Sequence, residues 1–103
     1  MKIGINGFGR IGRAIFKICL DRRLNVVAIN DVHGSEAAAY ALKYDSIYGK
    51  YGRKVSSQEG YLIVDGKKIK VLNEKEPYRL PWADLGVDVV IEQVGGNILP
   101  KSF

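Results

Sequence analysis

Cysteine, histidine, methionine and tryptophan occur once each among the 103 residues, and proline three times. The lone Cys19 excludes an internal disulfide. One Cys and one His, Cys19 and His33, cannot assemble a metal site. No apolar run approaches the roughly 18 residues that a membrane helix needs. No secretory signal is visible either, because Lys2 already enters a strand pattern. Together these absences predict a chain of the reducing cytoplasm, with no membrane partner. Internal repeats and low-complexity tracts are also missing.

Charge of both signs is present, with sixteen Lys and Arg against eleven Asp and Glu, a net charge of +5. The basic residues are scattered, without an aromatic-interleaved stripe, a helix-turn-helix or an RNA-recognition signature. That pattern describes a solvated basic surface rather than a specific nucleic-acid footprint. It also suits phosphorylated small ligands. A hydrophobic share of 47% and a charged share of 26% are ordinary for a globular domain.

Lys2 to Asn6 reads as a short buried strand bounded by glycine. From Arg10 to Arg22, Ile11, Ala14, Ile15 and Ile18 recur at helical spacing and predict a buried stripe. "LNVVAIN", Leu24 to Asn30, is apolar on both faces, as a parallel-sheet strand should be. Ser35 then opens an alanine-rich helix as its N-cap. Strand, helix, strand, helix in this order predicts right-handed βαβ winding. In the middle, Lys54–Ser57, Tyr61–Val64 and Lys67–Leu72 alternate with turn signals at Glu59-Gly60 and Asp65-Gly66. Asp-Gly between strands is a hairpin cue through a type I′ turn. "NEKEPYRLPWADLG" is a connection, and Val87 to Glu92 returns to a buried strand.

The pattern Gly7-Phe8-Gly9-Arg10-Ile11-Gly12 follows a strand and opens a helix. In that context Gly7 permits the tight turn, Gly9 lets a pyrophosphate approach the backbone, and Gly12 lets helix and strand pack closely. The helix N-terminus then holds the anion with free N–H groups. Asp31 ends the second strand roughly 20 residues beyond, where a carboxylate accepts bonds from an adenosine ribose and repels a 2′-phosphate. The combination predicts NAD rather than NADP.

"KIGINGFGRIGR", "VVAINDV", "KYDSIYGKY", "NEKEP" and "LPWADLGVDVVIE" resemble the N-terminal part of the glyceraldehyde-3-phosphate dehydrogenase family, from Met1 to about Glu92. The resemblance implies an α/β fold, an incomplete Rossmann sheet with an inserted β-hairpin region. It implies that the backbone of Arg10 and Ile11 meets the NAD pyrophosphate and that Asp31 holds the ribose. Asn6 and Asn30 would line the adenosine side, Lys75 would meet the adenine through its backbone, and Gly95 would match the nicotinamide side. In the family a cysteine activated by a histidine attacks the aldehyde, hydride passes to NAD, and phosphate releases the acyl group. That catalytic domain has no counterpart within residues 1–103, and the stretch 93–103 departs from the family pattern, with Val94 where relatives carry threonine. Cys19 is a small core residue near the end of the first helix, not the nucleophile. His33 is a loop residue, Asp45-Ser46 lies in a region that serves subunit packing in the family, and Arg13, Arg22 and Arg23 read as helix-surface charges.

The implied strand order is third, second, first, fourth. It would leave Val89-Val90-Ile91 as a bare apolar edge, and such an edge invites self-association. Three readings stay open: the NAD-binding portion of a dehydrogenase that is not catalytic alone, a non-catalytic nucleotide-binding module, and an interaction protein of family oligomers.

Overall fold

The computed structural model describes residues 1–44, 52–94 and 97–102. Strand β1 (Lys2–Asn6) leads through the glycine loop into helix α1 (Arg10–Asp21), and β2 (Asn25–Asn30) leads into α2 (Gly34–Lys43). Three strands follow, β3 (Val55–Gln58), β4 (Tyr61–Val64) and β5 (Lys67–Leu72). A single 3-10 turn, Pro77–Arg79, interrupts the connection to β6 (Val89–Val94), and β7 (Asn97–Ser102) closes the chain.

These strands form one seven-stranded sheet in the order β3-β4-β5-β2-β1-β6-β7. The central β5-β2-β1-β6 pairings are parallel, in the predicted order, while β3-β4, β4-β5 and β6-β7 are antiparallel. Asp65 and Gly66 carry φ values of +49° and +83°, the positive pair that a type I′ hairpin requires. Both faces of the parallel region are covered, which is why its strands read as apolar throughout. Ile5, Phe16, Val26, Ile29, Leu42, Leu62 and Ile69 are buried in one cluster with the helices. Ala28, Trp82, Val87 and Val90 form the other. There Gly4 lies under the Trp82 ring so closely that a Cβ would stand 2.6 Å from its Cζ3.

Three expectations are corrected. The buried stripe of α1 is Gly12, Phe16 and Cys19, with Ile15 of the expected set partly buried against the same core, whereas Ala14, Ile11 and Ile18 face outward. The close approach of Gly12 to the first strand's turn fixes the helix rotation, and spacing alone left two faces to choose from. The N-cap of α2 is His33, not Ser35. The turn closes two residues earlier, where Asp31 accepts the His33 N–H at 2.9 Å and the Gly34 N–H bonds the Asp31 carbonyl at 3.0 Å. Finally, the β6 edge is not bare: β7 pairs along it from Val89↔Ser102 to Val94↔Asn97. The tail's own backbone supplies the missing neighbour, so the reason for self-association through β6 falls away.

Candidate functional site

The carboxyl ends of β1 and β2 open onto a cleft of about 590 Å³, bounded by the glycine loop, the start of α2 and the loop after β5. Its lining includes Asn6, Gly7, Gly9, Asn30, Asp31 and Lys75, which the sequence singled out. Each glycine has a separate duty. Gly7 has φ +104°, a conformation that favours glycine. A Cβ on Gly12 would lie 2.1 Å from the Gly7 carbonyl oxygen, so helix and loop touch there. Gly9, the N-cap of α1, has φ −75°, which any residue adopts, so the backbone itself makes no demand for glycine.

Helix α1 begins without a side-chain cap and without an acidic residue in its first turn. The leading N–H groups, at Arg10, Ile11 and Gly12, therefore keep their donors for an anion. The loop before them is fixed from two sides. The buried Phe8 ring meets Phe16 edge-on, with centroids 5.4 Å apart, and the Gly7 N–H bonds the Asn30 carbonyl at 3.2 Å. Arg13 Nη1 donates to the Phe8 carbonyl at 2.9 Å, and Arg13 lines the cleft. This corrects its reading as a helix-surface charge, since α1 turns Arg13 back over its own N-terminal loop.

Asp31 is half-buried at the rim. Oδ1 accepts the His33 N–H, while Oδ2 has no partner among the described residues. Asn30 is buried, and its amide is largely committed to the protein. Nδ2 donates to Asn6 Oδ1 at 3.0 Å and to the Glu74 carbonyl at 2.9 Å, and Oδ1 accepts the Glu74 N–H at 3.0 Å. Asn6 Nδ2 in turn donates to Glu92 Oε1 at 3.3 Å. Lys75, next to the clamped Glu74 backbone, is exposed on the cleft wall. Ile11 is exposed on α1, and Gly95 lies outside the described residues, as does Asp45-Ser46.

Sequence reasoning missed Glu92, Arg13 and the Glu74 backbone. A signal for Glu92 existed: three adjacent parallel strands each carry a polar residue at one register level, Asn6 opposite both Asn30 and Glu92. Arg13 had only its helical offset from Gly9. His33, exposed, and Val32 also line the cleft.

A parallel sheet wound by helices, with a glycine turn leading into an uncapped helix and a carboxylate at the end of the next strand, defines a dinucleotide-binding domain. The family profile described as "Glyceraldehyde 3-phosphate dehydrogenase, NAD binding domain" matches residues 1–98, and the chain belongs to that family. Its cofactor is NAD. Among curated relatives, the glyceraldehyde-3-phosphate dehydrogenase of Borreliella burgdorferi is 54% identical over 95 residues, covering 92% of this chain and 28% of that protein. That of Thermotoga maritima is 52% identical over 97 residues, covering 91% and 29%. Glyceraldehyde-3-phosphate dehydrogenase 1 of Bacillus cereus is 50% identical over 95 residues, covering 91% and 28%. The chain thus spans under a third of the length of these relatives. Among the described residues no helix is long and apolar enough to cross a membrane, and no acidic, His or Cys cluster could hold a metal ion.

The residues present fit NAD. The glycine loop and the α1 N–H groups suit a pyrophosphate, and the carboxylate of Asp31 faces the same cleft with one oxygen uncommitted.

Proposed function

We propose that the chain holds the adenosine and pyrophosphate parts of NAD, as the N-terminal portion of a cytoplasmic, NAD-dependent glyceraldehyde-3-phosphate dehydrogenase. Such an enzyme oxidises an aldehyde with coupled phosphorylation. The observation that carries this reading is the uncapped N-terminus of α1 opening on the same cleft as Asp31. The N–H groups of Arg10 and Ile11 bind the pyrophosphate, and the absent side chain of Gly9 admits it. Asp31 accepts ribose hydroxyls through Oδ2 and turns away a 2′-phosphate by like charge. The Glu74-Lys75 backbone forms the adenine wall, and Gly95 belongs to the nicotinamide side. When bound, NAD supplies the hydride acceptor.

The covalent step falls to the part of the enzyme that its relatives carry beyond the matched region. Cys19 is unsuited to it: the residue is buried and burial pushes its thiol pKa up, whereas a nucleophilic cysteine needs the opposite. Assembly with family subunits belongs to the same proposal, by a surface other than β6.

The test is calorimetric titration of the chain with NAD, ADP-ribose and NADP, repeated with Asp31→Ala. Comparable binding of NAD and ADP-ribose is expected, with NADP weaker. The substitution should lower NAD affinity roughly 10- to 100-fold, the scale of hydrogen bonds to a charged group. A folded chain that binds none of the three would sink the reading.

A further inference from the structure

Asn6, Asn30 and Glu92 stand at one register level on three neighbouring parallel strands. Three of their hydrogen bonds run one way, while a fourth, from Asn30 Nδ2 to the Glu74 carbonyl, runs back. The Glu74 N–H donates to Asn30 Oδ1, Asn30 Nδ2 to Asn6 Oδ1, and Asn6 Nδ2 to Glu92 Oε1. A carboxamide has a donor end and an acceptor end of nearly equal shape, so nothing steric tells it which way to point. A carboxylate only accepts, and a peptide N–H only donates. The two ends of the chain therefore set its polarity. If Asn6 turned over, its carbonyl oxygen would face the Glu92 carboxylate and its NH₂ group would face the NH₂ group of Asn30.

We infer that Glu92 is a positioning residue for the loop on the adenosine side of the cleft, acting through Asn6 and Asn30 without touching the ligand. The carboxylate is buried within β6, two residues before its end. Burying a charge is costly unless it is hydrogen-bonded, so such a group is a strong orienting influence on its donors. With Asn6 held, Asn30 presents its NH₂ group to the Glu74 carbonyl and its oxygen to the Glu74 N–H, holding the backbone of that residue on both sides. Lys75 follows directly, and Pro77 stands beside it on the cleft wall. The fourth parallel strand is thereby connected to the loop that borders β2 and β5. The part of the inference that concerns ligand affinity rests on the proposed adenosine site, whereas the ordering of the loop does not.

The test compares the chain with Glu92→Gln, Asn6→Ser and Asn30→Ser by amide hydrogen exchange without ligand, then by titration with ADP-ribose. Glu92→Gln keeps the shape but removes the charge that chooses the direction. Exchange at the Glu74 amide should quicken on the order of tenfold, as the loss of one net hydrogen bond allows, while Leu62 and Ile69 amides keep their rates. Asn6→Ser breaks the same chain without altering Glu92 and should give the same pattern, which covers the case in which Glu92→Gln does not fold. ADP-ribose affinity should fall several-fold, and Glu92→Gln added to Asn30→Ser should cost nothing further, since both act on one route. Unchanged Glu74 exchange in the folded variants, or additive losses in the double variant, would overturn the inference. Because exchange is read on the free chain, a wild type that binds no ADP-ribose would count against the adenosine site alone.

Discussion

The two ends of the sheet are stabilised by different means. At the carboxyl edge of β1, β2 and β6, buried polar side chains bond one another above an open cleft, and a helix begins with its donors unused. At the β3-β4-β5 end, α2 packs over Leu62, Val64, Ile69 and Val71, and the polar groups meet in exposed ion pairs. There Arg53 bridges Asp21 at 2.8 Å and Asp65 at 2.9 Å, tying the end of α1 to the hairpin turn. The hairpin end spends its residues on its own stability. The cleft end leaves backbone donors and one carboxylate oxygen uncommitted, which is how a binding site differs from a core.

That contrast can be broken most severely at Leu62. Leu62→Ala removes a fully buried side chain and should cost about 2–5 kcal/mol in urea unfolding, with NAD affinity unchanged in whatever fraction stays folded. Gly12→Ala comes next. A Cβ 2.1 Å from the Gly7 carbonyl must push helix and loop apart, so about 3 kcal/mol of stability and most nucleotide binding should go together. Arg13→Met should separate the two properties. It removes the bond to the Phe8 carbonyl, so NAD affinity should fall about tenfold while the unfolding midpoint moves little. Equal loss of affinity in Arg13→Met and in Leu62→Ala would show that the two ends are not independent.

The smallest effect belongs to the hairpin turn. The Lys54 backbone N–H, and then the Arg53 guanidinium, hold the Asp65 carboxyl below its usual pKa of 3.8. A depressed folded pKa means that this contribution is present above the unfolded value and lost as pH falls through the folded one. Between neutral pH and about pH 4 Asp65 should therefore add no pH dependence, and below that its contribution should fade. Acid titration of stability in Asp65→Asn against wild type reads this difference. A difference that grows as pH falls below about 4 would contradict the sign, and one that still changes through neutrality would contradict the window.

Residues near each other in sequence were legible where local chemistry leaves one solution. Asp65-Gly66 requires positive φ at both positions and formed the hairpin with the predicted strands. The order of the central strands followed from the family resemblance. The face of α1 was misread because Ile11, Ile15 and Ile18 repeat as well as Gly12, Phe16 and Cys19 do. Only the contact of Gly12 with the Gly7 carbonyl decides between the stripes. The edge of β6 was misread because pairing by residues 97–102 depends on backbone hydrogen bonds, which any side-chain pattern can make.

By itself, then, the sequence determined the winding, the glycine turn, the carboxylate at the end of β2 and the family, all of which rest on short-range spacing. Only the tertiary structure decided that Arg13 turns back onto the glycine loop, that Asn30 holds the Glu74 backbone and that Glu92 closes the chain of amides. Asn6, Asn30 and Glu92 lie far apart along the chain. They become neighbours because parallel strands bring equal register levels side by side, about 4.8 Å apart, where a polar side chain out of water must find a partner.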